Sequence, residues 1–241
     1  MKRWRQFTSL CSQLILCGCA GQSNIAGNSS VPVLDGNMLY LTVKTDADGK
    51  TDIDSCKVVH GSFRFNGDID SVCIARVYMG NESILPVVLE NGNLTITVDN
   101  ISQRVSGSPL NERLYDFYKK QNRLETKMWR LQQRAIRQVR EGHSMADVEK
   151  KFTKQAMKIQ ADAEELETEF LKKNAGNVLG PGYFQMVCEQ YAVPTVTDRM
   201  ARMLEQLPPE FFEHPFVRSY LRRASYNPFS YPVRIPQKTA K

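Results

Sequence analysis

The chain has 241 residues and a formal net charge of +6, with 41% hydrophobic and 24% charged residues. Its length allows one large domain or two small ones, and beyond the N-terminal segment no run is long and apolar enough to cross a bilayer. Three of the positive charges, Lys2, Arg3 and Arg5, lie in that segment, so the remainder carries about +3, too little to argue for nucleic acid as a partner.

The N-terminus combines the basic opening Met-Lys-Arg-Trp-Arg with an apolar stretch, Phe7–Cys17, that ends in small residues. This is the layout of a secretory signal over residues 1–18, and it is too short to be a membrane span. Leu16-Cys17-Gly18-Cys19 resembles the bacterial lipobox, which implies acylation of Cys19 and loss of Cys11 and Cys17 with the signal. One acyl chain holds a protein only marginally, so two or three on Cys19 are needed to anchor it to the lipid membrane. Ala20 and Gly21 follow the anchor, with no Asp among them, which by the usual sorting rule implies the outer membrane, facing the periplasm. Residues 19–32 read as a flexible tether because Gln22–Ser30 is small, polar and unable to bury a core.

Residues 33–107 carry period-two patterns. Leu39, Leu41 and Val43 alternate with polar neighbours, and Phe63–Phe65, Cys73–Tyr78, Ile84–Leu89 and Leu94–Val98 continue the pattern. Turn signals at Asp48-Gly49, His60-Gly61, Asn66-Gly67, Gly80-Asn81 and Asn91-Gly92 divide them. The expectation is an antiparallel β-sandwich-like domain. The period then changes. Ser108 and Pro109 suit an N-cap and a first helical position. Leu110, Leu114, Phe117, Leu124, Met128, Leu131 and Ala135 follow at steps of four and three, with Gln121 in the one gap. A break at Arg140–Ser144 precedes a second stripe, Met145, Val148, Phe152, Ala156, Ile159, Ala163, Leu166 and Phe170. Residues 108–224 therefore read as a helical domain, a long antiparallel hairpin over 109–175 and shorter helices at 182–191, 196–206 and 215–224, before an extended tail over 225–241. The fold class expected is α+β.

Within the β half, Asp52–Gly67 reads DIDSCKVVHGSFRFNG, and Val105–Asn111 reads VSGSPLN. Together with Leu85–Glu90, Gly92 and Leu94–Val98, these stretches resemble the domain of unknown function 4369 over about residues 36–120. That resemblance implies the N-terminal module of Bacteroides-type lipoproteins whose C-terminal part is a thioredoxin-like domain of the TlpA or peroxiredoxin-like kind. Two departures stand out: Gly27–Val33 is a poor match to the family's first strand, and the catalytic cysteines of the thioredoxin-like part have no counterpart here. The resemblance implies architecture and location and brings no activity.

Three cysteines remain beyond Cys19: Cys56, Cys73 and Cys188, with no C-x-x-C. Strands bearing Cys56 and Cys73 are expected to be separated by a third, roughly 9–10 Å apart, too far for a disulfide. Asp46–Asp54 is acidic, yet an EF-hand register would put Lys44 and Ser55 at its first and twelfth positions, so a solvated turn is expected. His60, His143 and His214 are isolated, and no nucleophile or phosphate-loop motif is present. No catalytic residue, metal ligand or cofactor is therefore assigned.

The remaining signal is electrostatic. Arg123, Lys127, Arg130, Arg134 and Arg137 step along one side of the first long helix, and antiparallel pairing sets them near Lys150, Lys151, Lys154 and Lys158 of the second. Residues 123–158 hold ten basic and four acidic side chains. The acidic run Asp162–Glu169 is expected at the base of the hairpin near Lys119 and Lys120, and Trp129 and Phe152, at or beside the helix seams, are expected to serve packing. One reading is an anion-facing surface for lipid headgroups, glycans or an acidic protein. The other is a pair of solvated helix faces with internal ion pairs. The function expected is a non-enzymatic envelope lipoprotein that binds or scaffolds an envelope protein. The alternative is an accessory that docks a separate thioredoxin-like oxidoreductase in trans.

Overall fold

A computed structural model describes residues 21–44, 49–69 and 71–233. Eight strands precede six α-helices: β1 Gly21–Ser29, β2 Met38–Lys44, β3 Lys50–Lys57, β4 Ser62–Ile69, β5 Cys73–Met79, β6 Glu82–Leu89, β7 Gly92–Val98 and β8 Gln103–Ser106. The helices are α1 Pro109–Arg140, α2 Met145–Lys173, α3 Leu179–Cys188, α4 Asp198–Leu204, α5 Pro209–Glu213 and α6 Pro215–Ala224. The class is α+β, as the change of hydrophobic period predicts.

The strands form two four-stranded sheets in the orders β4-β1-β7-β8 and β3-β2-β5-β6. Alternation places Leu94, Ile96 and Val98 of β7 and Leu39 and Leu41 of β2 in the shared core, the arrangement that lets two half-apolar sheets cover each other. All ladder pairs are antiparallel except β1 with β7, which is parallel. Gly21–Ser29 corrects the tether reading of residues 19–32. Small and polar as it is, the segment pairs with β4 on one side and β7 on the other and buries Ile25. Its central position supplies from neighbours the hydrogen bonds and contacts its own composition lacks. This is also the first strand for which Gly27–Val33 looked a poor match, set several residues earlier.

The helical region starts as its caps predict. Ser108 Oγ accepts from the backbone N–H of Asn111 at 3.5 Å, and Ser144 Oγ accepts from that of Asp147 at 3.2 Å. At the base of the hairpin Phe117 stacks on Phe170 at 4.1 Å and meets Tyr183 of α3 edge-on at 4.9 Å, joining the helices to the sandwich in one core. Farther out, Leu131, Val148 and Phe152 form a separate small core. The short helices expected at 182–191 and 196–206 are Leu179–Cys188, shifted three residues earlier, and Asp198–Leu204, two residues shorter at each end. The stretch after α6 is not an extended tail in its described part, 225–233. Tyr231 donates its N–H to Val196 O (2.8 Å), and Asn227 Nδ2 donates to Pro194 O (3.1 Å).

The acidic run lies at the base of the hairpin as expected, where Lys120 and Glu169 line one hollow. Glu167 Oε2 pairs with Arg199 Nη2 of α4 at 2.5 Å, Glu164 pairs with Arg202, and Glu169 turns to Lys172 and Lys173. Lys119 and Lys120 are not their partners among the described residues. Burial pushes the Glu167 carboxyl up, and Arg199 partly offsets it.

Candidate functional site

Cys19 lies outside the described residues. The nine basic residues expected on the hairpin, Arg123, Lys127, Arg130, Arg134 and Arg137 of α1 and Lys150, Lys151, Lys154 and Lys158 of α2, are all exposed. On α1 the charges step by four and three, so they follow one flank for about 21 Å. Lys151 Nζ donates across the hairpin to Gln138 Oε1 at 3.5 Å. Gln138 lies one turn beyond Arg134, so Lys151 sits against the same flank.

Among the described residues none of the nine has a carboxylate within ion-pair distance. In the acidic run of α2, Glu164 and Glu167 are already held by Arg199 and Arg202, and Glu169 by Lys172 and Lys173. The alternative of internal ion pairs therefore has no support on this face. Phe152 packs in the tip core as expected, whereas Trp129 is 59% exposed on α1 and corrects the packing reading for that residue.

Beside this face runs a cleft that the sequence pattern did not show. About 710 Å³ lies between β8 with its preceding loop and α1, lined by Arg104, Tyr118, Asn122, Arg123, Lys127 and Arg130 among others. A smaller hollow of about 370 Å³ continues it at Pro86 and Asp99–Gln103. Another, about 700 Å³, extends it past Trp129 to Arg137. Ile101 stands at the mouth, 96% exposed. The lining residues are separated by loops in the sequence, and only the α1 half of the cleft carries a periodic signal that could have been found.

A second cleft, about 390 Å³, lies between β2, β5 and α3. Its cations are already engaged. Glu189 accepts from Lys44 at 3.1 Å and from Arg76 at 2.6 Å, and the Lys50 ammonium sits 4.5 Å above the Tyr78 ring. The cysteines offer little nucleophilic chemistry. Cys56, Cys73 and Cys188 are free thiols, burial pushes all three up, and Cys188 reaches about 12. β2 separates the strands of Cys56 and Cys73. Among the described residues no three His, Cys, Asp or Glu side chains gather to hold a metal ion. Lys44 and Lys50 pair across β2 and β3 at the acidic turn, whose residues 45–48 lie outside the described ones.

Residues 23–114 match the model of the domain of unknown function DUF4369. The chain carries a DUF4369 domain. No curated protein matches the chain. The matched span runs from β1 into the first turns of α1, so the DUF4369 domain comprises the sandwich and the helix segment docked on it. The basic residues of the hairpin, from Arg123 onward, fall beyond it.

The residues that carried the resemblance have structural work in the DUF4369 domain. His60 and Gly61 (φ 49° and 73°) make the turn from β3 to β4, Phe63 and Phe65 fill the core, and Gly107 (φ 99°) turns the chain into α1. The Asn111 amide accepts from Val88 N–H at 2.9 Å and donates to Val88 C=O at 2.7 Å. It thereby caps the outer edge of β6 as a strand would.

Proposed function

We propose that the protein is a non-enzymatic envelope lipoprotein whose helical hairpin binds an anionic partner. The observation that carries this reading is the set of nine exposed cations on the antiparallel hairpin, with no carboxylate in the described structure paired to them. A cluster of like charges destabilises the fold that carries it, and it gains most by meeting an opposite charge. The anchor rests on the sequence: the basic start, the short apolar run and the lipobox resemblance at Cys19 support acylation there, and Ala20 and Gly21 after it support the periplasmic side of the outer membrane as the location. Palmitate or similar chains there would hold a water-exposed body to lipid.

The test is photo-crosslinking in intact envelopes from a probe on the basic face, with the triple charge reversal Arg130→Glu, Arg134→Glu and Lys151→Glu as the comparison. The same adduct should form reproducibly with the native face and be lost on charge reversal, with the circular dichroism spectrum unchanged. An adduct that survives the reversal would remove the basic face from the reading. Capture of a thioredoxin-like oxidoreductase would assign the accessory role instead.

A further inference from the structure

The cleft of about 390 Å³ between β2, β5 and α3 shares no lining residue with the hollows along the hairpin. Alternation turns Thr42 and Lys44 of β2 and Arg76 and Tyr78 of β5 away from the sandwich core, toward Gln185 and Glu189 of α3. Glu189 engages Lys44 and Arg76 but can neutralise only one of them, and Lys50 has a ring face and no carboxylate as its partner. Three of the lining charges are thus positive and one is negative. Asp52 of β3, exposed and accepting from Thr42 Oγ1 at 2.7 Å, reduces that surplus without cancelling it. The Arg76 and Glu189 side chains are only 23% and 24% exposed, so the surplus sits partly out of water, where the walls of a cleft concentrate its field. Asn81, Ser83 and Gln185 line the same cleft, and among the described residues none of their side chains is hydrogen-bonded to another protein group.

We propose that this cleft binds an acidic sugar, a polyhydroxylated molecule that carries one anionic group. The site goes beyond the hairpin reading and does not depend on it. Lysine and arginine side chains only donate, so the surplus of Lys44, Lys50 and Arg76 calls for an anion. Glu189 leaves further N–H groups on both of its partners, because a guanidinium has five and an ammonium three. Amide and hydroxyl side chains both donate and accept, as sugar hydroxyls do, so Asn81, Ser83 and Gln185 suit hydroxyl groups in either role. A bare inorganic anion would leave them unused, and an aliphatic acid would press methylenes against them, which costs polar groups their water without return. Ile74, Gly182 and Met186 supply the apolar part of the wall, to which the C–H face of a sugar can turn. The volume also falls in the range of small-molecule sites, roughly 300–1,000 Å³.

The test is an NMR titration of the full chain with D-galacturonate and with glucose 6-phosphate, against glucose, acetate and inorganic phosphate as controls. At least one acidic sugar should bind, about tenfold or more tightly than glucose and than its own bare anion. Lys50→Gln should weaken that binding about tenfold or more, and Gln185→Leu should weaken it as well. Arg130→Glu with Arg134→Glu on the hairpin should leave it unchanged. Failure of both acidic sugars to bind overturns the proposal. Glucose binding as tightly as the acidic sugars shows that the charge is not used, and acetate or phosphate doing so shows that the hydroxyls are not; either result overturns it too. Binding that survives Lys50→Gln and Gln185→Leu but is lost in the hairpin variant moves the sugar to the basic face and removes it from this cleft. The comparison of ligands uses the unaltered protein, so it decides the matter even if a variant does not fold.

Discussion

Asn111 shows how one side chain can join two halves of a molecule. It is fully buried and satisfies both the N–H and the C=O of Val88, and its Nδ2 also donates to Ser108 Oγ at 2.8 Å. Truncating it removes those bonds and strands two buried backbone groups, which is the costly way to lose a hydrogen bond. Asn111→Ala is expected to lower stability by about 2–4 kcal/mol, read from the shift in urea midpoint at unchanged slope. Asn111→Asp, which keeps the acceptor and loses the donor, should also destabilise. An unchanged midpoint in the alanine variant would show that the contact does not hold α1 to the sandwich. The glycine nearby is fixed by a different constraint. At Gly107 a Cβ would come 2.3 Å from Asn93 O, and φ is 99°, a region side chains rarely adopt. These positions made the DUF4369 resemblance legible, and their roles explain why it brought no activity. What is written most clearly at residue scale is how the chain turns and caps its edges.

At the scale of elements, legibility follows from whether a segment carries its own reason to form. The long helices were readable to within a residue or so at their starts, because Ser108 and Ser144 cap them and apolar stripes of seven and eight residues follow the caps. β1 was not, because its stability comes from strands on both sides. Gly27 illustrates the dependence: a Cβ there would lie 2.1 Å from the Phe63 ring, so the smallness that suggested a tether makes room for the core. Trp129 was not readable as exposed because its flank of α1 is left largely open by the described residues, a tertiary fact absent from the period. The cleft beside β8 was invisible for the same reason, since it exists only where α1 leaves the sheet. The hairpin itself is two cores in series. Leu131, Val148 and Phe152 pack apart from the main cluster, and Phe152 is 8% exposed. Phe152→Ala should therefore open the outer hairpin locally, with hydrogen exchange over roughly residues 125–160 made easier by about 2–4 kcal/mol and the sandwich strands unaffected. Equal acceleration in β2, β5 and α1–α2 would show that the two cores unfold as one unit.

The whole molecule has two ends, and strand register says which is which. β1 starts at Gly21 beside Ile69 of β4, and Ser23 pairs with Gly92 at the start of β7. The Asp99–Ser102 loop lies at the opposite end of β7, about 20 Å away. α1 begins beside the first end, where Gly107 lies against Asn93. It passes Val88 and then Pro86, and reaches the Asp99–Gln103 loop at Tyr115. Its remaining residues to Arg140 continue past the sheet for about 37 Å. Under the proposed acylation, Cys19 is two Cα steps from Gly21, at most about 7–8 Å. With β1 a strand and not a tether, the Gly21 end of the sandwich would rest near the lipid and the basic tip would project into the periplasm. That direction favours a protein partner over headgroups as the occupant of the basic face. A fluorophore at Asn91, in the β6–β7 turn of the Gly21 end, should be quenched when the acylated protein sits on vesicles bearing a headgroup-attached quencher. One at His143, in the loop at the hairpin tip, should stay bright. Cys19→Ala should abolish the quenching at Asn91 by releasing the protein. Quenching at His143 with none at Asn91 would reverse the orientation and return the lipid surface as the partner of the cations.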